Sequence, residues 1–205
     1  IYSKLRQFDK SLDAFRKGLA LDKQNVEILV NIGTLYYYKK HYDSARVILE
    51  DALKVNSQEP HVFNALAMIE TELKNYDAAT SWMSKALELS PDDPYFLNNR
   101  GFISLMKNEF DKARNDIDLS ISLDPYNAWA YRNKGLYHLM TGNANEAIRL
   151  LKHAEEMDPF VEKVYLYLGK AYLAAKEKGK ACDSFAKSLE RMELTQAELN
   201  KHCAQ

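Results

Sequence analysis

Glycine and proline are scarce in this chain, 7 and 5 among 205 residues. A turn-rich all-β protein needs more of both, so helices lead from the outset. Cysteine is scarcer still, with Cys182 and Cys203 alone. Two cysteines are too few for a disulfide scaffold and lack zinc-ligand spacing. Their number is compatible with a reducing compartment, and a cytoplasmic setting is the expectation. No apolar run approaches the roughly 18 residues of a spanning helix, and no secretory signal is visible. Charge of one sign is missing as well: 28 basic and 29 acidic residues leave a net charge of -1. That balance gives no drive toward nucleic acid or anionic lipid. The chain starts at Ile1 rather than Met, so a fragment of a longer protein is expected.

What is present is enough to build a core: 46% of residues are hydrophobic and 28% charged. The apolar positions also repeat. Gly33, Ala67, Gly101, Gly135 and Gly169 are spaced 34 residues apart, as are Ala45, Ala79, Ala113, Ala147 and Ala181. Pro91, Pro125 and Pro159 keep the same interval, and no insertion breaks it. Within one period the spacing predicts two amphipathic helices. Leu29, Ile32, Gly33 and Tyr36 form one stripe; Tyr42, Ala45, Leu49, Ala52 and Leu53 form the next. Polar turns such as Lys39-Lys40-His41 and Thr141-Gly142-Asn143 separate the pair, and the second helix usually ends at Asp-Pro, as at Asp124-Pro125 and Asp158-Pro159, because the residue before proline avoids helical geometry. Small residues such as Gly101 and Ala113 let the paired helices approach closely.

This pattern, with Leu168, Gly169, Tyr172, Ala181, Phe185 and Ser188 as its clearest copy, resembles the tetratricopeptide repeat family over essentially the whole chain. The resemblance implies an all-α solenoid of stacked helix-turn-helix repeats forming a superhelix. Full repeats are expected at 26–59, 60–93, 94–127, 128–161 and 162–195, as a single array over 1–205. Residues 1–25 would supply the end of an earlier first helix and a whole second helix striped by Phe8, Leu12, Phe15 and Leu19. Thr195-Gln196-Ala197-Glu198 has capping-box form and should open a capping helix over 196–205.

Catalytic signatures are absent: there is no Walker loop, HExxH, GxSxG or dinucleotide fingerprint. The 5 histidines are scattered over different repeats, which offers no convergent metal ligands. No catalytic residue, cofactor or metal is therefore expected. Three residues after the small position, where the family has a bulky side chain, stand Glu70, Ser104 and His138. As a list they suggest a triad. As geometry they fall on successive first helices roughly 8–10 Å apart, so a polar seam is the better expectation.

The resemblance further implies that the first helix of each pair lines a concave groove that receives a partner peptide. Its asparagines are Asn31, Asn64, Asn98, Asn99 and Asn133, an interrupted row whose amides can both donate to and accept from an extended backbone. Its apolar and aromatic members include Tyr95, Phe102, Trp129, Leu136 and Tyr167, and its charged members Arg132 and Lys163. The carboxylate clamp of the chaperone-binding members is matched only at Asn133 and Lys163, so a co-chaperone role is not expected. The reading is a non-enzymatic adaptor for a protein or peptide partner. Two alternatives stand beside it: self-assembly into a homo-oligomer through the N-terminal helix, by way of Phe8 and Phe15, and service as the targeting domain of a larger enzyme.

Overall fold

The computed structural model describes residues 8–203. The expected end of an earlier first helix lies outside the described residues. The described residues form twelve α-helices and no strand: α1 (Phe8–Leu21), α2 (Val26–Tyr38), α3 (Tyr42–Val55), α4 (Pro60–Glu72), α5 (Tyr76–Leu89), α6 (Pro94–Met106), α7 (Phe110–Leu123), α8 (Ala128–Met140), α9 (Ala144–Met157), α10 (Val164–Ala174), α11 (Lys178–Glu190) and α12 (Gln196–Cys203). They gather into two compact units, Ile1–Asn99 and Arg100–Gln205. None of these helices is long and apolar enough to cross a membrane.

Helix starts follow local side-chain chemistry. The Asn25 carboxamide oxygen accepts from Ile28 N at 3.0 Å, and Asp93 accepts from Phe96 N at the same distance. Each satisfies a first-turn N–H that has no intrahelical partner. Pro60 and Pro94 occupy first-turn positions, where a missing N–H costs nothing.

The turn inside each pair is built the same way five times. Lys40, Lys74, Asn108, Gly142 and Lys176 all have left-handed backbone, with φ of 60°, 64°, 60°, 86° and 63°. The next residue then donates its N–H back to a carbonyl five positions earlier: His41 to Tyr36, Asn75 to Glu70, Glu109 to Ser104, Asn143 to His138 and Glu177 to Tyr172, at 2.8–2.9 Å. This is the Schellman closure, which satisfies carbonyls orphaned at a helix end. Glycine suits its left-handed position best, yet only one of the five is glycine.

In the first unit, α2 and α3 meet where Gly33 faces Leu49. A Cβ at Gly33 would lie 2.7 Å from Leu49 Cγ, so only glycine permits this approach. Leu49, Ala52, Val62 and Ile69 form a buried cluster shared by α3 and α4. Phe8, Phe15 and Leu19 of α1 pack around Leu12, Ile32 and Leu35. In the second unit Gly101 faces Ile117, again with 2.7 Å to a would-be Cβ. Ala45, Ala79, Ala113, Ala147 and Ala181 have no exposed surface.

Cys182 and Cys203 form a disulfide joining α11 to α12. The expected capping box is present: Thr195 N donates to Glu198 Oε2 at 2.8 Å, and Glu198 N donates to Thr195 Oγ1 at 3.3 Å.

Candidate functional site

In the first unit the proposed contact residues lie on α2, α4 and the first turns of α6. Asn31, Asn64 and Asn99 are partly exposed, whereas Asn98 is buried. Asn99 Nδ2 donates to Asn64 Oδ1 at 2.8 Å, tying α6 to α4 across 35 residues of sequence. Beside this pair Tyr95 stands 51% exposed, and the exposed His61 meets the buried Phe96 ring edge-on at 5.3 Å. Tyr95 and Asn99 are four residues apart on one helix, and His61 and Asn64 three apart on the other, so each pair shares a face. The result is a small amide-and-aromatic surface with hydrogen-bonding capacity left over: the Asn64 amide N–H groups are not used by its bond to Asn99.

The second unit departs from the expectation. Phe102, Arg132, Asn133, Leu136 and Tyr167, read from sequence as lining an open groove, are all buried. Only Trp129 and Lys163 stay partly exposed. Among the buried residues the Arg132 guanidinium is enclosed by rings: its carbon lies 4.8 Å from the centroid of Trp129, 5.2 Å from Phe102 and 5.9 Å from Tyr167. Its Nε and one terminal nitrogen donate to Asn133 Oδ1 at 3.0 and 2.6 Å, and the other donates to the Glu162 carbonyl at 3.2 Å. Cation–π contact and neutral acceptors together compensate a buried charge. Arg132 and Asn133 are thus hydrogen-bonded to each other inside the unit. Lys163 caps α10 with left-handed backbone, and its N–H donates to Glu193 at 2.9 Å.

The seam residues have a shared backbone role, since Glu70, Ser104 and His138 each supply the carbonyl of a Schellman turn. Glu70 is ion-paired to Arg46 at 2.7 Å and accepts from Asn75 at 2.8 Å. Arg46 was not singled out by sequence; the signal was a cation next to the regularly spaced Ala45. Burial pushes the His138 imidazole below its usual range.

A cavity of about 230 Å³ opens between α9, α10 and α11, lined by Glu155, Tyr165, Tyr172, Ser184 and lysines 152, 180 and 187. Burial and the Glu155 carboxylate push the Tyr165 phenol up to about 12. Among the described residues no group of three or more His, Cys, Asp or Glu side chains is placed to hold a metal.

Profiles of the tetratricopeptide repeat match residues 4–69, 60–93 and 82–115. The chain belongs to the tetratricopeptide repeat family. Solved structures agree in fold. The Cut9–Hcn1 hetero-tetramer of the APC/C contains a chain that superposes with TM-score 0.79 at 19% identity, covering all of this chain and 41% of that one. This chain therefore spans less than half the length of that relative. A thermophilic tetratricopeptide protein of Thermus thermophilus gives 0.73 at 20% identity, covering 87% and 97%. The type IV pilus biogenesis factor PilW gives 0.68 at 17%, covering 98% and 92%. At these identities the likeness is one of fold. No curated protein matches by sequence. Tetratricopeptide proteins bind protein partners and are in general non-enzymatic scaffolds.

Proposed function

We propose that this chain is a non-enzymatic scaffold that holds an extended segment of a partner protein against the first helices of its pairs. The contact is centred in the first unit on Asn64, Asn99 and Tyr95. The observation that carries this reading is the partly exposed Asn64–Asn99 amide pair beside the half-exposed Tyr95 ring. Amides at this spot can pair with a peptide backbone whatever its sequence, while the ring gives one side chain a flat apolar seat. Asn31 on α2 extends the same surface. Taken by itself, the second unit offers the partly exposed Trp129 and Lys163 as contacts of its own, with Arg132 and Asn133 in support. Each backbone hydrogen bond contributes about 0.5–1.5 kcal/mol net, and ordering the peptide offsets much of the sum. Micromolar-order affinity for a short segment follows. Self-assembly through α1 has less support, because Phe8 and Phe15 already pack against the Leu12–Ile32–Leu35 cluster.

The test is a panel of random linear peptides displayed on phage and panned against the wild-type chain. The best synthetic peptide is then titrated by fluorescence anisotropy. The Asn64→Ala/Asn99→Ala double variant and Tyr95→Ala should each bind about tenfold or more weakly, a loss of ~1.4 kcal/mol, with helicity unchanged. Equal affinity in all three proteins, or failure to select any peptide, sinks the reading.

A further inference from the structure

We propose that the Cys182–Cys203 bridge is a redox-sensitive latch that holds α12 over the apolar end of the α10–α11 pair, and that reduction releases α12 and uncovers that end. The bridge spans 21 residues and joins two elements that are otherwise lightly attached. No residue of α12 is buried. Its side-chain hydrogen bonds all stay within residues 195–200: the Thr195–Glu198 box and the Gln196–Asn200 pair. What reaches the rest of the unit is Leu199 and Cys203, packed against Ala181, Phe185 and Leu194, and the His202 ring stacked on Phe185 at 5.3 Å. A helix of eight residues is far below the roughly 12–15 needed for stability on its own. Its position thus rests on these few contacts and on the covalent bond.

The surface beneath is one that water would meet unfavourably. Phe185 is 1% exposed, held between the Gly169 backbone, where any Cβ would collide with the ring, and the His202 imidazole. Leu166, Tyr172 and Leu173 flank it. Loss of α12 would open one face of Phe185 and Leu194 together, creating an apolar patch where the oxidised protein has none. Neither cysteine is buried, so a reductant can reach the bond.

The exchange balances with an external dithiol. One reductant thiolate attacks a cystine sulfur, forming a mixed disulfide and expelling the other cysteine as a thiolate that takes up a proton. The second reductant thiolate then displaces the remaining cysteine. The cystine is reduced to two thiols and the dithiol is oxidised to a disulfide.

Hydrogen–deuterium exchange read by mass spectrometry tests the latch on the wild-type chain, with dithiothreitol as the reductant. On reduction, peptides covering 195–203 should lose protection by about tenfold or more, while α8 and α9 keep theirs. The fluorescence of an apolar dye should rise, and reoxidation should restore both signals. Cys182→Ser/Cys203→Ser should behave like the reduced wild type. Four outcomes would each overturn the proposal: unchanged protection of 195–203 after reduction, a double variant as protected as the oxidised protein, collapse of α8–α11 along with α12, or two free thiols in protein purified in air.

Discussion

Asn99 donates its side-chain N–H to the side-chain oxygen of Asn64 at 2.8 Å, so two amides that could serve a peptide also brace α6 against α4. Asn99→Ala should lower stability only by about 0.5–1.5 kcal/mol, the net worth of one partly exposed hydrogen bond. Urea melts followed by circular dichroism measure this. A loss above roughly 3 kcal/mol, beyond what one such bond supplies, would mean that the pair is structural first and a binding surface second.

Arg132 stands in a different regime. Arg132→Ala takes two hydrogen bonds from an Asn133 that has no exposed surface and one from the Glu162 carbonyl, and empties the space between Trp129, Phe102 and Tyr167. A cost of about 2–4 kcal/mol is expected. Arg132→Lys should recover little of it, since an ammonium can neither fork to Asn133 nor lie flat between rings. Thermal melts of both variants decide the matter: full rescue by lysine would refute the cage.

The left-handed turns predict a gain rather than a loss. A side chain in this backbone region costs roughly 1–2 kcal/mol, and Lys40, Lys74 and Lys176 all sit there. Lys74→Gly should therefore stabilise the first unit by about 0.5–1 kcal/mol after glycine's greater unfolded-state entropy is counted. Gly142→Ala should do the reverse in the second. Matched denaturant midpoints for the two variants give the sign directly.

At Gly33 the penalty is steric. A methyl group would meet Leu49 at 2.7 Å, against a fully buried side chain that has little room to move. Gly33→Ala should cost about 1–3 kcal/mol, whereas Gly179→Ala on α11, whose added Cβ meets nothing within 4 Å, should be neutral or slightly stabilising. Melting the two side by side separates close packing from helix propensity.

His138 provides a pH dependence. Desolvation lowers its pKa from 6.5, with Lys134 and Arg149 acting in the same direction and Glu146 and Asp118 opposing them. A folded-state pKa below the unfolded value means that its stabilising share is present above the unfolded pKa and is lost as pH falls through the folded one. The imidazole should therefore titrate below 6.5 by NMR, and His138→Gln should flatten the stability profile on the acid side of that value. A midpoint above 6.5 would contradict the burial argument.

The sequence made the pairing of helices legible because the cause is local. A small residue at the place of Gly33 and an alanine at the place of Ala45 recur at a fixed interval, and each lets the two helices of its pair approach closely. Exposure was not legible in this way. Asn31, Asn99 and Asn133 hold the same place in the period, yet the first two are partly exposed and the third is buried. The difference comes from Arg132, one residue earlier, a position held by Val30 and Asn98 in the corresponding helices. A periodic pattern predicts which face a residue is on, not what its neighbours place above it. The left-handed lysines were hidden for a related reason: lysine is no turn former, and backbone hydrogen bonding imposes the conformation. The cystine was hidden too, because 21 residues of separation become 5.7 Å between Cα atoms only once α12 folds back onto α11.

The five Schellman turns have a kinetic consequence. Each closes a helical hairpin through contacts only a few residues apart, and chains dominated by such near-neighbour contacts fold in microseconds to milliseconds. A ribosome adding about 5–20 residues per second needs roughly 2–7 s to deliver one 34-residue period. Every hairpin therefore has time to close before the next one emerges, and the nascent chain is expected to acquire its structure in the order in which it is made.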